Sequence, residues 1–191
     1  MLTDLARMES GHTPSRRKQE YWGGEVPWIG IKDARNTHGQ TICKTLENTN
    51  PDGIANSSAR VLPKDTVCLS RTASVGYVVV LGADMATSQD FVNWVCGNDL
   101  EPQFLKLVLL AQGKEFFKFS SGAVHQTIYF PEAKGFAICH PNTDTQKKIV
   151  ALAEQVLEQA NQLEAHYTAK LQDLDDLRQS LLQKAFAGEL T

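Results

Sequence analysis

The sequence predicts an α+β globular domain followed by one long α-helix able to form a coiled coil, and three observations predict it. Short runs rich in β-branched and aromatic residues recur between residues 26 and 139, separated by Gly, Pro, Asn and Asp. Among them, "PQFLKLVLLAQ" from Pro102 places its apolar residues at helical spacing. From Thr143 onward neither glycine nor proline occurs until Gly188, and apolar residues return at steps of four and three.

Composition bounds the class before any motif is read. The 191 residues leave room for one domain of ordinary size and an extension. An apolar fraction of 42% and a charged fraction of 21% are globular values, which exclude a disordered chain and a membrane bundle. The opening "MLTDLARMESG" carries no signal-peptide-like apolar run, so the expected compartment is the cytoplasm. Cys43, Cys68, Cys96 and Cys139 lie far apart with no C-x-x-C pair; they are expected to be buried thiols, not a disulfide framework or a metal site. The net charge of −3 resides in the stretch from residue 144 on, and the part before it is balanced. Such a globe does not grip nucleic acid by overall charge; any contact must come from local patches or a partner.

Element by element, residues 10–25 ("SGHTPSRRKQEYWGGE") are turn-rich and hold the basic triplet Arg16, Arg17 and Lys18, a candidate for phosphate contact. Strands are expected at 26–31, 60–62, 66–71, 75–81 and 91–96, and "NPDG" at 50–53 reads as a turn. Pro102 suits the first turn of a helix. Two more strands are expected at 126–130 and 136–139. In "HPNTDTQKKIV", Thr143 and Gln146 match a capping box, with Thr143 as N-cap and Gln146 reaching back, so the boundary falls between a domain at 1–143 and a helix at 144–191.

That helix carries one apolar seam. Ile149, Ala153, Val156, Ala160, Leu163 and Tyr167 alternate by four and three, a second step of four leads to Leu171, and the seam resumes through Leu174, Leu177, Leu181 and Ala185. The repeated four is a stutter, which relaxes left-handed supercoiling locally. A rod of this length is roughly 64 Å at ~1.5 Å per residue, longer than a globe of its size is wide, so its seam requires another helix as cover.

Catalytic signatures are missing. There is no G-x-G-x-x-G, Walker-type loop, H-E-x-x-H or G-x-S-x-G, the five histidines have no ligand spacing, and no Asp/Asn-Pro-Pro-aromatic motif of an amino-methyltransferase occurs. Pro51-Asp52 with Glu132-Ala133-Lys134 spells the parts of a Mg²⁺-dependent nuclease signature, at a separation too wide for that motif.

Several stretches together resemble the DNA target recognition domain of a Type I restriction–modification specificity subunit. These are "SGHTPSRRKQEYWGGEVPWIGIKD", "NSSARVLPKDTVCLSRTASVGY", "ATSQDF", "SSGAVHQTI", the helix entry "HPNTDTQKKIV" and the closing "LRQSLLQKAFAGELT", in the family's order over nearly the whole chain. His12, Ser88 and Asn142 depart from the family's usual Gly, Asn and Pro and affect turn geometry only. The resemblance implies a non-catalytic DNA-recognition subunit in a prokaryotic cytoplasm, with no membrane contact. It would bind double-stranded DNA and direct methyltransferase subunits and a restriction/translocase subunit to a target. S-adenosylmethionine, ATP and Mg²⁺ would reside on those partners, with no cofactor in this chain. One globe and one helix correspond to half of a two-domain specificity subunit, whose two helical segments pair antiparallel and set the spacing between half-sites, so the expected assembly is a homodimer through the helix, reading a spaced palindrome. The alternatives are an inactive truncated subunit, a coiled-coil scaffold that touches no DNA, and the nuclease.

On that reading Ser57, Ser58, Gly76 and Phe91 belong to the shared scaffold. Arg16, Arg17, Lys18 and Arg71 are candidates for phosphate contact. Lys32, Arg35, Asn36, His38 and Gln40 in "KDARNTHGQ", and Ser120, Ser121, His125 and Gln126 in "SSGAVHQ", are of types that can read base edges.

Overall fold

The computed structural model describes residues 1–72, 74–113 and 127–189. It divides into two compact units, Met1–Lys147 and Lys148–Thr191. The first is built on two small mixed sheets. The larger has strand order β1-β8-β5-β6-β3, with β1 Ala6–Ser10, β3 Thr41–Ile42, β5 Val67–Ser70, β6 Val78–Leu81 and β8 Phe91–Cys96. The smaller has order β4-β2-β7, with β2 Trp22–Ile29, β4 Glu47–Thr49 and β7 Ala86–Thr87. Pairing is antiparallel except for β3 with β6 and β7 with β2.

The central strands are apolar throughout because both faces of the larger sheet are covered. Val67, Cys68 and Leu69 of β5 and Val78–Leu81 of β6 are all fully buried. One face contributes Cys68, Val79 and Leu81 to a core with Ile29, Ala34, Ile42, Leu62, Met85 and Phe91. Helix α3 (Pro102–Gln112), opened by its proline, packs along β5 and β6 and buries Phe104, Leu105 and Leu109. Burial also pushes the Cys68 thiol up and holds Cys96 at about 12, so neither is a ready nucleophile. Cys43 and Cys139, expected to be buried, are exposed.

Several expected elements differ. The strand predicted at 26–31 starts earlier, at Trp22, and ends at Ile29, because Gly30 opens α1 (Ile31–Asn36). Residues 60–62 supply only an isolated bridge, Leu62 to Met85. "NPDG" opens a short helix, α2 (Pro51–Ala55): the Asn50 side chain accepts from Gly53 N at 2.8 Å, and Pro51 fits the first turn. The strand expected at 126–130 begins outside the described residues, and Pro131 instead starts α4 (Phe130–Lys134). Residues 136–139 form no strand; Phe136 packs at 6.4 Å against Trp94, and its carbonyl accepts from Leu2 N. β1 was missed because its alternation, buried at Ala6 and Glu9, rests on few apolar residues. Glu9 is held by Arg7 and Arg60, the latter tying the 57–62 loop to β1.

Helix α5 runs from Thr143 to Phe186. Its start is not the predicted capping box. Asn142 is the N-cap, its Oδ1 accepting from Thr145 N at 2.9 Å. Gln146 is fully buried: its Oε1 accepts from Glu101 N at 2.8 Å, and its Nε2 donates to the carbonyls of Asp99 and Pro141 at 2.9 and 2.8 Å. Its amide serves a loop of the globe, which is why it cannot serve the helix end. Beyond it the seam residues are exposed, Tyr167 at 59%, Leu171 at 65% and Leu174 at 61%, with Ala153 half-buried. No helix among the described residues is long and apolar enough to cross a membrane.

Candidate nucleic-acid interface

The segments quoted above as motifs converge on one region. Gly11 runs so close to the 87–88 backbone that an added Cβ would lie 2.0 Å from the Ser88 carbonyl oxygen, so only glycine fits. His12 N donates to the Thr87 carbonyl, and the His12 carbonyl accepts from Trp28 Nε1 at 3.1 Å. The Thr13 hydroxyl donates to Gln89 Oε1. "SGHT", "VPW" and "ATSQD" therefore form one interlocked corner. Asp90 extends it by accepting Arg71 N at 2.7 Å through its carbonyl.

The basic triplet is used unequally. Arg16 makes a two-pronged pair with Glu47 at 2.6 and 2.8 Å, and its guanidinium lies 3.8 Å from the Trp22 ring centroid and 4.8 Å from that of Trp28. The two indoles meet edge to face at 5.2 Å. Hydrogen bonding from Arg16 holds the Glu47 carboxyl below its ordinary range. Lys18 donates to the Tyr21 hydroxyl at 2.9 Å, and that bond raises its pKa. Arg17 is exposed. Arg71 is partly sequestered: its guanidinium sits 4.7 Å over the Phe130 ring, donates weakly to the Ile128 carbonyl at 3.5 Å, and leaves a buried Nε without a partner.

Helix α1 is the most suggestive reading element. Asp33, buried, accepts from Gly30 N at 2.9 Å and from Leu46 N at 2.8 Å, fixing the helix start and the approach to β4 with one carboxylate. Ala34 is buried in the core. Lys32, Arg35 and Asn36, three and four residues apart, share an exposed face. Just beyond, His38 accepts from Val78 N through Nδ1 at 3.1 Å and lies edge-on to Tyr77 at 5.6 Å. In the neutral ring the proton is then on Nε2, leaving an N–H donor. The Gln40 carbonyl accepts from Val80 N, and its side chain is exposed.

A cleft of about 420 Å³ lies beside this helix, bounded by Arg16, Trp28, Lys32, Glu47 and Asp90, with Leu46 65% exposed at its lip. Of the predicted residues it brings together Arg16 and Lys32; Arg17, Arg35, Asn36, His38 and Gln40 do not line it. Ser120, Ser121, His125 and Gln126 lie outside the described residues. Thr13, Gln89 and Glu47 were not singled out, although the first two sit inside the quoted motifs. Of the scaffold residues, Phe91 is fully buried, Gly76 adopts φ +106°, and the Ser57 hydroxyl accepts from Ala59 N, whereas Ser58 is exposed. Asp52 and Glu132 of the nuclease signature stand on α2 and α4, and no group of three or more His, Cys, Asp or Glu suited to a metal occurs among the described residues.

Residues 1–173 match the family described as the Type I restriction modification DNA specificity domain. The chain is 30% identical over 157 residues to the MjaIX specificity subunit of Methanocaldococcus jannaschii, covering 79% of this chain and 35% of that protein. It is 26% identical over 196 residues to the HindI specificity subunit of Haemophilus influenzae, covering 99% and 40%. Its fold matches a chain from a structure of type I R-M system assembly and conformational transition, with TM-score 0.79, 21% identity and coverage of 99% and 45%. The HsdS subunit from Thermoanaerobacter tengcongensis gives 0.65, 19%, 99% and 44%. The chain thus spans less than half the length of each.

Proposed function

Because the chain belongs to the Type I restriction modification DNA specificity domain family, we propose that it recognises one half of a bipartite DNA target without catalysing a reaction itself. It directs an adenine methyltransferase partner, which supplies S-adenosylmethionine and flips the base, and a restriction/translocase partner that uses ATP and Mg²⁺. Two copies joined through α5 present two recognition domains, which makes the target a spaced palindrome. The observation that carries the reading is the continuity of the family match from the first residue through the globe and into α5.

The face of α1 supports it. Lys32, Arg35 and Asn36 offer two cations and an amide on a helix fixed from behind by Asp33, and His38 adds a donor on a ring oriented by the backbone. The methyltransferase supplies much of the phosphate contact, which suits a globe without a net positive charge.

Mapping methylated adenines genome-wide in the native cell, with and without the gene, tests the proposal. Loss of one spaced palindromic motif on deletion is the expected result. Loss of an asymmetric motif would mean pairing with a different half-subunit, and an unchanged map with the gene expressed would overturn the recognition role. One observation favours a scaffold that touches no DNA: Arg16 and Lys18 are already engaged within the globe. Salt-insensitive behaviour of the assembled complex toward DNA would select that reading.

A further inference from the structure

The carboxylate of Glu9 holds more positive charge than it needs. Its side chain is only 9% exposed; Oε1 accepts from Arg7 Nη1, and Oε2 accepts from Arg60 Nη1 at 2.5 Å. Arg7 stands on the same strand, β1, whereas Arg60 reaches across from the 57–62 loop. A buried carboxylate is neutralised by one cation. Two are present, so the triad carries one uncompensated positive charge. Among the described residues neither arginine forms an ion pair with a second acid, and Asp4, just before β1, pairs with the N-terminal amino group at 2.7 Å. The Arg16–Glu47 pair, by contrast, is one to one and leaves nothing over.

The surplus charge is presented to solvent. The Arg7 and Arg60 side chains are 65% and 53% exposed, and each spends only Nη1 on Glu9. The remaining N–H donors form planar forks, a shape that suits the oxygens of a phosphate. Holding two exposed arginines together costs side-chain entropy and mutual repulsion, and surface ion pairing returns little of it. Stability therefore explains one arginine on Glu9 and leaves the second without a reason; an anionic ligand supplies one.

The site is also fixed from behind. Glu9 lies opposite Asn93 in the register of β1 with β8. Asn93, fully buried, donates through Nδ2 to the Glu9 carbonyl at 3.3 Å and to Thr87 Oγ1 at 2.9 Å. Thr87 belongs to the corner where "SGHT" meets "ATSQD", so one amide anchors both the corner and the strand that carries the triad.

On the reading that the chain recognises DNA, we propose that Arg7 and Arg60, set on Glu9, form a binding site for one phosphodiester group of the DNA backbone. The single surplus charge matches the single negative charge of that group. The site provides the kind of contact sought in the basic triplet, where Arg16 and Lys18 are taken, and at Arg71, which is stacked on Phe130. Arg7 and Arg60 stand far apart in the chain, so no basic run marks them in the sequence.

Salt-dependent binding of the assembled complex to cognate and scrambled duplexes tests the site. Each neutralised phosphate contributes about 0.9 to the slope of log K against log salt concentration. Either single variant, Arg7→Gln or Arg60→Gln, brings the triad to zero net charge yet leaves Glu9 one arginine, so the fold is kept. Each is expected to lower the slope by about one and to weaken both duplexes equally, roughly eightfold at about 0.1 M salt. Arg60→Lys preserves the charge and is expected to preserve the slope. A merely structural role would lower affinity in all three variants without changing any slope, and that result would overturn the site while leaving the recognition reading in place. Weakening confined to the cognate duplex would overturn it as well, because a phosphate carries no sequence. A parent complex whose DNA binding ignores salt would overturn the site and the recognition reading together.

Discussion

At Arg16 the clearest signal in the sequence and the clearest geometry part company. A basic triplet in a turn-rich segment invites a phosphate, yet its first cation lies against two indoles and Glu47, and its last is bound to Tyr21. The partners come from β2, β4 and the short 3-10 helix Gln19–Tyr21, so nothing within the triplet distinguished its members. Arg17 remains the exposed cation, and Arg35 sits on the presented face of α1. In the assembled complex, Arg17→Ala is expected to weaken binding to all DNA about equally and reduce the salt slope by about one, whereas Arg35→Ala relaxes sequence preference; salt-dependent binding to cognate and scrambled duplexes separates the two. The Arg16–Glu47 pair has its own pH signature. Because the Glu47 pKa is depressed in the folded state, its contribution is complete above the ordinary carboxylate value and disappears as pH falls through the folded value. Both partners are about half exposed, so the worth is at most about 1 kcal/mol. Glu47→Gln is expected to lower stability against urea by that amount at pH 7, and the difference from the parent is expected to vanish as pH falls through the folded value.

Elements were legible where period and punctuation agreed. β8 was read at its full length, β5 and β6 within a few residues, and α3 from its proline and helical spacing. The failures have local causes. "QTIYF" and "FAIC" have strand composition, but Pro131 starts a helix inside the first, and the second is used for a packing contact from Phe136. α2 was hidden because Asn-Pro-Asp-Gly serves turns and helix starts equally well. The start of α5 shows the subtler failure: Thr143 and Gln146 have the spacing of a capping box, but the loop at Asp99–Glu101 takes the Gln146 amide. Replacing Gln146 with Leu removes the partner of Glu101 N and of the carbonyls of Asp99 and Pro141 at a half-buried loop, and is expected to cost roughly 1–3 kcal/mol. Tryptophan fluorescence across a denaturant series measures it, and an effect below about 0.5 kcal/mol would mean that water replaces the amide.

For the molecule as a whole, the division into globe and helix was visible in the sequence because it needs only a change of period, whereas which of the proposed base-reading positions stand exposed needed the fold. On the proposed pairing through α5, helix formation and association are coupled. The melting temperature of α5 should therefore rise with protein concentration, as for any structure stabilised by mass action. Leu174→Glu is expected to remove that dependence and lower helicity in circular dichroism while leaving the globe's unfolding unchanged; a helix that melts independently of concentration in the parent would contradict the pairing.

Asp33 separates two demands that usually conflict. By fastening the start of α1 from the buried side, it lets the outer positions of that helix change without disturbing the core. Drift at Lys32, Arg35 and Asn36 is then nearly free of stability cost. On the proposed function, a lineage carrying this scaffold acquires a new DNA address through a few substitutions, each leaving a folded protein for selection to act on.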